Sequence, residues 1–216
     1  GKLKERPQMF SEEDFKGMPF KVVIWMGKCN EKYSLDSARS ALQYVVDSDS
    51  DYRLEALIAL AELEARNSNY EVANSLFKKV EEEFPLDEKA TYAAIRQGEM
   101  FQKMGKIDEA RNKFNDILRT PAWRGPAHAE ALLKLGKLEE EQNNRKQALA
   151  YYTNCAAGFA SCLDLAGEAT LLGAKLAMSM GEVESAKEFL DPFLEDPTNK
   201  DSKFYKEIED YRSSIK

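Results

Sequence analysis

The side chains that most often perform catalysis or bind metals are few and scattered in this sequence. There is one histidine, His128, and there are three cysteines, Cys29, Cys155 and Cys162. A structural zinc site needs about four Cys or His ligands at short spacing, and these residues lie in different parts of the chain. Cys155 and Cys162 are two helical turns apart among apolar neighbours, which favours buried packing over a redox or metal role. For His128 we expect a packing or surface role, so the sequence predicts neither a metal site nor a cofactor.

Glycine-lysine pairs and acidic runs are the other features that resemble catalytic motifs. The tripeptides at residues 104–106 and 135–137 contain Gly-Lys but lack the rest of a phosphate-binding loop. The runs of three glutamates at 81–83 and 139–141 do not form acid-base pairs, because neighbours in a helix point in different directions. We expect both runs to be solvated faces. The sequence therefore indicates a protein that is not an enzyme.

Composition and charge argue against nucleic-acid binding and against membrane insertion. The 216 residues carry a formal net charge of -7, which does not suit a nucleic-acid binder, because such a protein needs a basic surface. No run approaches the roughly 18 apolar residues needed to cross a bilayer, so we expect no membrane insertion. We expect a soluble protein, cytoplasmic or periplasmic. Gly1 in place of Met indicates a processed start, so the compartment stays open.

A repeated pattern of small and large apolar residues runs through most of the chain. Alanines recur at intervals of 37, 38 and 38 residues, at Ala73, Ala110, Ala148 and Ala186. Four residues after each alanine comes a large apolar residue, namely Phe77, Phe114, Tyr152 or Leu190. Twelve residues before each alanine stands a small residue, namely Ala61, Gly98, Gly136 or Ala174. The large residues mark the buried face of a helix, and the small ones allow a second helix to approach it closely.

Turn residues and prolines recur between the helices of the same pattern. Between the two helices of each unit lie residues that suit a left-handed helix end, at Asn67–Asn69, Gly105, Asn143–Asn144 and Gly181. After the second helix come Pro85, Pro121 and Pro197, which stop a helix because proline lacks the amide donor.

This set of residues resembles the tetratricopeptide repeat over residues 51–197, and most closely over 95–121 and 132–152. Two features depart from the family pattern. The first-helix tryptophan is missing, with Phe101 as the surviving aromatic, and the period exceeds the usual 34 residues. The chain is therefore similar to the looser bacterial type of repeat. The resemblance implies an all-α fold, a right-handed α-α superhelix (solenoid) of about five helix hairpins with a C-terminal capping helix.

The predicted boundaries follow the repeat. An N-terminal extension covers 1–19, the array covers 20–198 in units 20–50, 51–87, 88–124, 126–162 and 165–198, and a capping helix covers 199–216. The first unit is the weakest, because Met26 stands where the others have a small residue before their alanine, here Ala38. Ser11 is a candidate cap for a short turn ahead of it. The terminal helix carries a clean apolar stripe at Phe204, Ile208, Tyr211 and Ile215.

The resemblance also implies a concave binding face lined by the first helix of each unit. The residues placed there by alignment are Glu62, Arg66, Tyr92, Arg96, Glu99, Lys103, Glu130, Lys134, Lys137, Glu141 and Lys175. Arg96, Lys103, Lys134 and Lys137 fall on adjacent units and suggest a positive strip for an acidic peptide or carboxylate. The alternative is an ordinary mixture of Lys and Glu that keeps the surface soluble.

The resulting functional hypothesis is a non-catalytic scaffold that binds a protein or peptide partner on the concave face. Two alternatives stay open: a homodimer assembled through Phe204, Ile208 and Tyr211, or an accessory region of a longer protein. Trp123 and Arg124, between two units, fit either an interface anchor or a bend held by a tucked tryptophan.

Overall fold

The computed structural model describes residues 12–215, and within that range the chain forms twelve α-helices and no strand. Ser11, the candidate cap, and Lys216, the last residue of the predicted capping helix, lie outside the described residues. The chain divides into two compact bodies, Gly1–Lys106 and Ile107–Lys216. None of the helices between residues 12 and 215 combines the length and apolar character that a membrane span requires.

The first body contains six helices: α1 Glu12–Phe15, α2 Phe20–Asn30, α3 Leu35–Val46, α4 Arg53–Arg66, α5 Tyr70–Glu83 and α6 Glu88–Lys103. Helices α2 and α3 pack together as one hairpin, α4 and α5 as the next, and α6 packs on α5. Their shared core includes Phe15, Leu42, Leu57 and Phe77.

The second body contains the other six: α7 Ile107–Arg119, α8 Pro126–Glu141, α9 Arg145–Gly158, α10 Leu163–Ser179, α11 Val183–Glu195 and α12 Tyr205–Ser214. Two short 3-10 helices, Pro121–Trp123 and Pro197–Asp201, lie before α8 and α12. Helices α8 and α9 form one hairpin, α10 and α11 the next, and α12 packs against α10 and α11.

The repeat pattern predicted the buried positions and the turns. All four repeat alanines, and the large residues four positions later, have no exposed surface. The inter-helix turns place Ser68, Gly105, Asn143 and Gly181 at positive φ, between 61° and 79°. Helices α5, α7 and α11 end two residues before Pro85, Pro121 and Pro197, because the residue before a proline disfavours helical geometry.

The small residue of the first unit is Gly27, and the expectation that Met26 leaves this unit without one is wrong. Gly27 is buried, and a Cβ added to it would lie 2.6 Å from Leu42 Cγ. Gly136 has the same role in the second body, where an added Cβ would lie 2.4 Å from Tyr152 Cε1. Gly27 lies 11 residues before Ala38 and not 12, so a fixed offset of 12 from the alanine misses the glycine.

Glu139 is also a correction, because the run 139–141 is not simply a solvated face. Glu139 has no exposed surface. Its carboxylate accepts hydrogen bonds from Arg111 Nε at 2.5 Å and from Asn144 Nδ2 at 2.6 Å. These three residues are called the Glu139 cluster below. Burial alone raises the pKa of Glu139, but the bonds from Arg111 and Asn144 outweigh it and hold the pKa below its usual range.

The first body contains an equivalent arrangement, the Glu64 cluster of Arg39, Glu64 and Asn69. Glu64 accepts from Arg39 Nε at 2.6 Å, from Arg39 Nη2 at 2.8 Å and from Asn69 Nδ2 at 2.7 Å. The hydrogen bond from Arg39 is the main reason that the pKa of Glu64 is lowered, although burial opposes it. In both clusters an arginine from one hairpin is fixed to a glutamate of the next.

Of the other residues singled out in the sequence, His128 and Cys155 are packed in the interior. His128 is buried, with Nε2 3.0 Å from the Thr120 carbonyl oxygen. Cys155 is buried and donates to the Ala129 carbonyl at 3.3 Å, and burial raises the pKa of its thiol to about 12. Cys162 is half-buried. Trp123 is half-buried in its 3-10 helix, whereas Arg124 is exposed.

Candidate functional site

A groove in the first body is the candidate binding site. It has a volume of about 840 Å³ and follows α4, with α2 on one side and α6 on the other. We call it the α4 groove. Its apolar floor comes from three residues of α4, Leu54, Ile58 and Ala59. A spacing of four residues makes Leu54 and Ile58 neighbours on one side of the helix, and Ala59 lines the groove beside them.

Its length follows from the part of α4 that lines it. The lining runs from Leu54 to Arg66, and at the rise of an α-helix this distance is about 18 Å. Lys28 of α2 and Tyr92 of α6 also line the groove. A Tyr92 side chain that is 39% exposed presents much of its ring to a ligand in the groove.

The end of the groove near Arg66 is held by ion pairs that cross three helices. Arg66 donates to Glu31 at 2.9 Å. Arg96 donates through Nε and Nη2 to the two oxygens of Glu62, at 2.9 and 3.0 Å, and also contacts Glu99. The Tyr92 hydroxyl donates to Glu62 as well.

These bonds change the pKa values of Arg96 and Tyr92. Burial lowers the pKa of Arg96, but the hydrogen bond to Glu62 and the charges of Glu99 and Glu62 outweigh it and hold the pKa above its usual range. Burial, with the hydrogen bond to Glu62, raises the pKa of Tyr92 to about 12. Arg96 therefore stays charged and Tyr92 stays a neutral donor at neutral pH, which keeps this end of the groove fixed.

The other end of the groove, its acidic mouth, is defined by Asp51, Asp87 and Glu88. Asp87 caps α6 by accepting from the Lys89 backbone N–H at 2.8 Å. Lys89 lies 3.3 Å from Glu88. This mouth is located where α4 and α6 begin, and acidic residues are favoured at such positions because they complement the helix dipole.

Five of the six residues predicted for the binding face in the first body lie in this groove or in the ion-pair network at its end. Glu62, Arg66 and Tyr92 line it, and Arg96 and Glu99 belong to the ion-pair network at its end. Lys103, the sixth predicted residue, is exposed at the end of α6 and is outside the lining.

In the second body the predicted residues lie on α8 and α10. Lys137 is 2.6 Å from Glu168, and Lys175 is 2.9 Å from Glu207. The other predicted residues, all on α8, are the half-buried Glu130 and Lys134 and the exposed Glu141. Cations and carboxylates alternate on this face.

Much of the lining was not predicted from the sequence, including Lys28, Leu54, Glu55, Ile58 and the acidic mouth. A signal existed, because Leu54 and Ile58 lie eight and four residues before Glu62 and so share its side of the helix. Within residues 12–215, no group of three or more His, Cys, Asp or Glu side chains is arranged to hold a metal ion.

Known proteins share this repeat architecture. The tetratricopeptide-repeat family model matches residues 95–157, the part of the chain in which the repeat pattern is closest. Solved structures of repeat proteins match at least 90% of the chain. Residues 95–157 therefore match the tetratricopeptide repeat, and the rest of the chain shares the fold of such proteins.

Three solved structures illustrate the likeness in fold. BtubC (BKLC) from P. vanneervenii matches with a TM-score of 0.62 and 14% identity, over 91% of this chain and 82% of that one. The kinesin light chain-like repeats of Podosopora anserina match with a TM-score of 0.60 and 14% identity, over 95% and 99%. MamA from Desulfovibrio magneticus RS-1 matches with a TM-score of 0.56 and 16% identity, over 96% and 100%.

At such identities the likeness shows the fold alone, and it confirms the predicted class, an all-α helical repeat of the superhelical type. No match is found among curated proteins. Proteins with tetratricopeptide repeats typically bind other proteins and are typically not catalysts.

Proposed function

We propose that this chain is a non-catalytic interaction module that binds a peptide segment of a partner protein in the α4 groove. The observation that supports this proposal is the groove itself, an open channel with an apolar floor and a fixed charged rim. Specific binding sites combine a concave apolar surface with a few well-placed polar groups, and the α4 groove has both.

Its dimensions suit a peptide. A lining of about 18 Å along α4 accommodates about five residues of an extended chain at roughly 3.3 Å per residue. The volume of about 840 Å³ is in the range of sites that enclose small ligands or short segments. A short linear segment therefore fits better than the flat surface of a folded domain.

The ion pairs around the groove favour binding because they organise it in advance. Arg66 connects α4 to Glu31, the residue that follows α2, and Arg96 connects α6 to Glu62 of α4. Side chains that are already fixed lose little freedom when a ligand arrives, so less of the interaction free energy is lost to ordering.

The positive strip considered for an acidic partner has less support. Arg96 is bonded to Glu62 and Glu99, and Lys137 is bonded to Glu168. An acidic peptide would have to compete with carboxylates that are already in place. The proposal therefore rests on the α4 groove and not on that strip.

Self-assembly through the terminal helix also has less support. Dimerisation was suggested because the apolar stripe of this helix was expected to be exposed. In the structure Ile208 and Ile215 are buried against α10 and α11, and Phe204 and Tyr211 are half-buried beside them. Arg212 of α12 forms an ion pair with Asp191 of α11, and Lys175 of α10 with Glu207 of α12. The stripe is used to cap the second body.

Site-specific photocrosslinking tests the proposal. A benzophenone amino acid replaces Ile58 in the groove floor, and in a matched control it replaces Val72, which is half-exposed on α5 outside the lining. In lysate of the source organism we expect an adduct with a discrete partner from position 58 only, mapped by mass spectrometry to one linear segment. The same adducts from both positions, or none from position 58, would contradict the proposal.

A further inference from the structure

We infer that the segment bound in the α4 groove is basic: it places an apolar side chain on the floor and a lysine or arginine at the acidic mouth. This inference rests on the proposed function and adds the chemistry of the partner. It also reverses the sign expected from the sequence, where cations of the binding face suggested an acidic peptide.

The first support is the balance of charge in the lining. Among residues 12–215, five carboxylates line the groove, against three cationic side chains, Lys28, Arg66 and Lys89. The excess of two negative charges lies in a concave surface above an apolar floor, where the field acting on a ligand is stronger than on an open surface. The net charge of the whole chain, -7, has the same sign and steers cationic segments toward it.

The second support is that each cation of the lining is already engaged. Lys28 is 2.8 Å from Glu55, Lys89 is 3.3 Å from Glu88, and Arg66 is 2.9 Å from Glu31. An anionic ligand would have to replace one of these carboxylates, with no net gain of ion pairs. A cationic ligand can instead add to the carboxylates, which outnumber their partners.

The third support is the arrangement of polar and apolar groups along the groove. The floor of Leu54, Ile58 and Ala59 lies between the acidic mouth and the ion-pair network near Arg66. Tyr92 adds a half-exposed ring on the wall, and aromatic rings attract cations as well as apolar groups. A segment with a basic residue at the mouth and an apolar residue on the floor matches this arrangement.

Three synthetic peptides test the charge of the ligand. Each has nine residues, acetylated and amidated, with leucine at every second position and either lysine, glutamate or serine between. Fluorescence anisotropy of labelled peptides gives the dissociation constants. At low salt we expect the lysine peptide to bind about tenfold more tightly than the glutamate peptide, with the serine peptide between. The difference shrinks at 0.5 M salt, because exposed charges are then screened within about 4 to 5 Å.

Matched variants assign the effect to the mouth. Asp51→Lys combined with Glu88→Lys should weaken binding of the lysine peptide about tenfold and strengthen binding of the glutamate peptide. Glu71→Lys combined with Glu82→Lys changes the net charge equally at exposed positions of α5 outside the lining, and we expect it to change binding less than twofold. Circular dichroism verifies that each variant keeps its helices.

A floor variant separates this inference from the proposed function. Ile58→Asn should weaken all three peptides alike. If it does so while the glutamate peptide binds as well as the lysine peptide, the groove is a site but its ligand is not basic. If Ile58→Asn changes nothing, or no peptide binds, both proposals are overturned. Equal effects of the mouth and control pairs would also overturn the inference, because the preference would then come from overall charge.

Discussion

The Glu64 cluster and the Glu139 cluster place the same residue types at the same repeat positions in two different bodies. The arginine follows a repeat alanine by one residue, and the glutamate and asparagine precede the next alanine by nine and four residues. An aspartate three residues before each arginine, Asp36 or Asp108, completes the parallel. The two clusters differ in burial: Glu64 is 4% exposed and Glu139 is 0% exposed.

The other hairpin junctions show what this arrangement requires. There the arginine position holds Asn74 or Leu149, and the glutamate position holds Phe101 or Ala177. The glutamate is thus present only where the preceding unit supplies an arginine. Where Asn74 replaces the arginine, its Oδ1 is buried without a hydrogen-bond partner among the described residues. A carboxylate is tolerated in these seams only as part of a complete cluster, because an unpaired buried charge is costly.

The largest expected effect is the loss of a cluster glutamate. Glu139→Ala should lower the free energy of unfolding of the second body by about 3 kcal/mol, because it leaves Arg111 without its main partner in the seam. Glu64→Ala should cost the first body somewhat less, because water reaches that cluster more easily. Urea unfolding of single-tryptophan variants gives each value, with Trp25 reporting the first body and Trp123 the second. A cost below about 1 kcal/mol at both sites would show that the clusters are incidental.

The second-largest expected effect is a recovery of stability when the arginine of the cluster is removed together with the glutamate. Arg111→Leu combined with Glu139→Ala copies the pair found at Leu149 and Ala177. We expect the double variant to be about 2 kcal/mol more stable than Glu139→Ala alone, because no unpaired charge is left in the seam. Arg39→Leu combined with Glu64→Ala is the matching double variant in the first body. If the two changes simply add, the ion pair does not explain the shared pattern.

Local periodicity explains which parts of the fold the sequence could predict. The repeat alanines, their partners four residues on and the left-handed turns all follow from spacings within one hairpin. Glu139 was missed because its partners are 28 residues earlier and five residues later. Within a run of three glutamates it looks like part of a solvated surface. The signal was in the comparison between units, where an arginine and a glutamate occur together.

The candidate site was predicted in part for a related reason. Repeat geometry placed Glu62, Arg66 and Tyr92 on the first-helix face, and all three line the groove. It did not reveal that Arg96 would be neutralised by Glu62 and Glu99, since ion pairing depends on side-chain geometry between helices. The charge of a surface therefore could not be read from its cations alone.

Acid titration gives a third way to compare the clusters. The pKa values of Glu64 and Glu139 are lowered in the folded chain, from an ordinary value of 4.5. The folded state therefore binds fewer protons than the unfolded state, so both clusters stabilise the protein above pH 4.5. That stability is lost as the pH falls from 4.5 through the folded pKa values. In urea titrations between pH 7 and pH 3, we expect the double variant of the Glu139 cluster to lose less stability than the unaltered chain. Equal losses would show that other carboxylates control the acid response.

The smallest expected effect is at the outer aspartates, and it sharpens the distinction between the seam and the surface. Asp108 lies 2.6 Å from Arg111 and Asp36 lies 3.5 Å from Arg39, but their side chains are 86% and 73% exposed. Asp108→Asn and Asp36→Asn should each cost no more than about 0.5 kcal/mol, because exposed ion pairs contribute little. The same urea titrations check this. A cost above about 1 kcal/mol for Asp108→Asn alone would mean that the shorter contact orients Arg111 toward Glu139. The two clusters would then differ in how the arginine is held, and not only in how deeply the glutamate is buried.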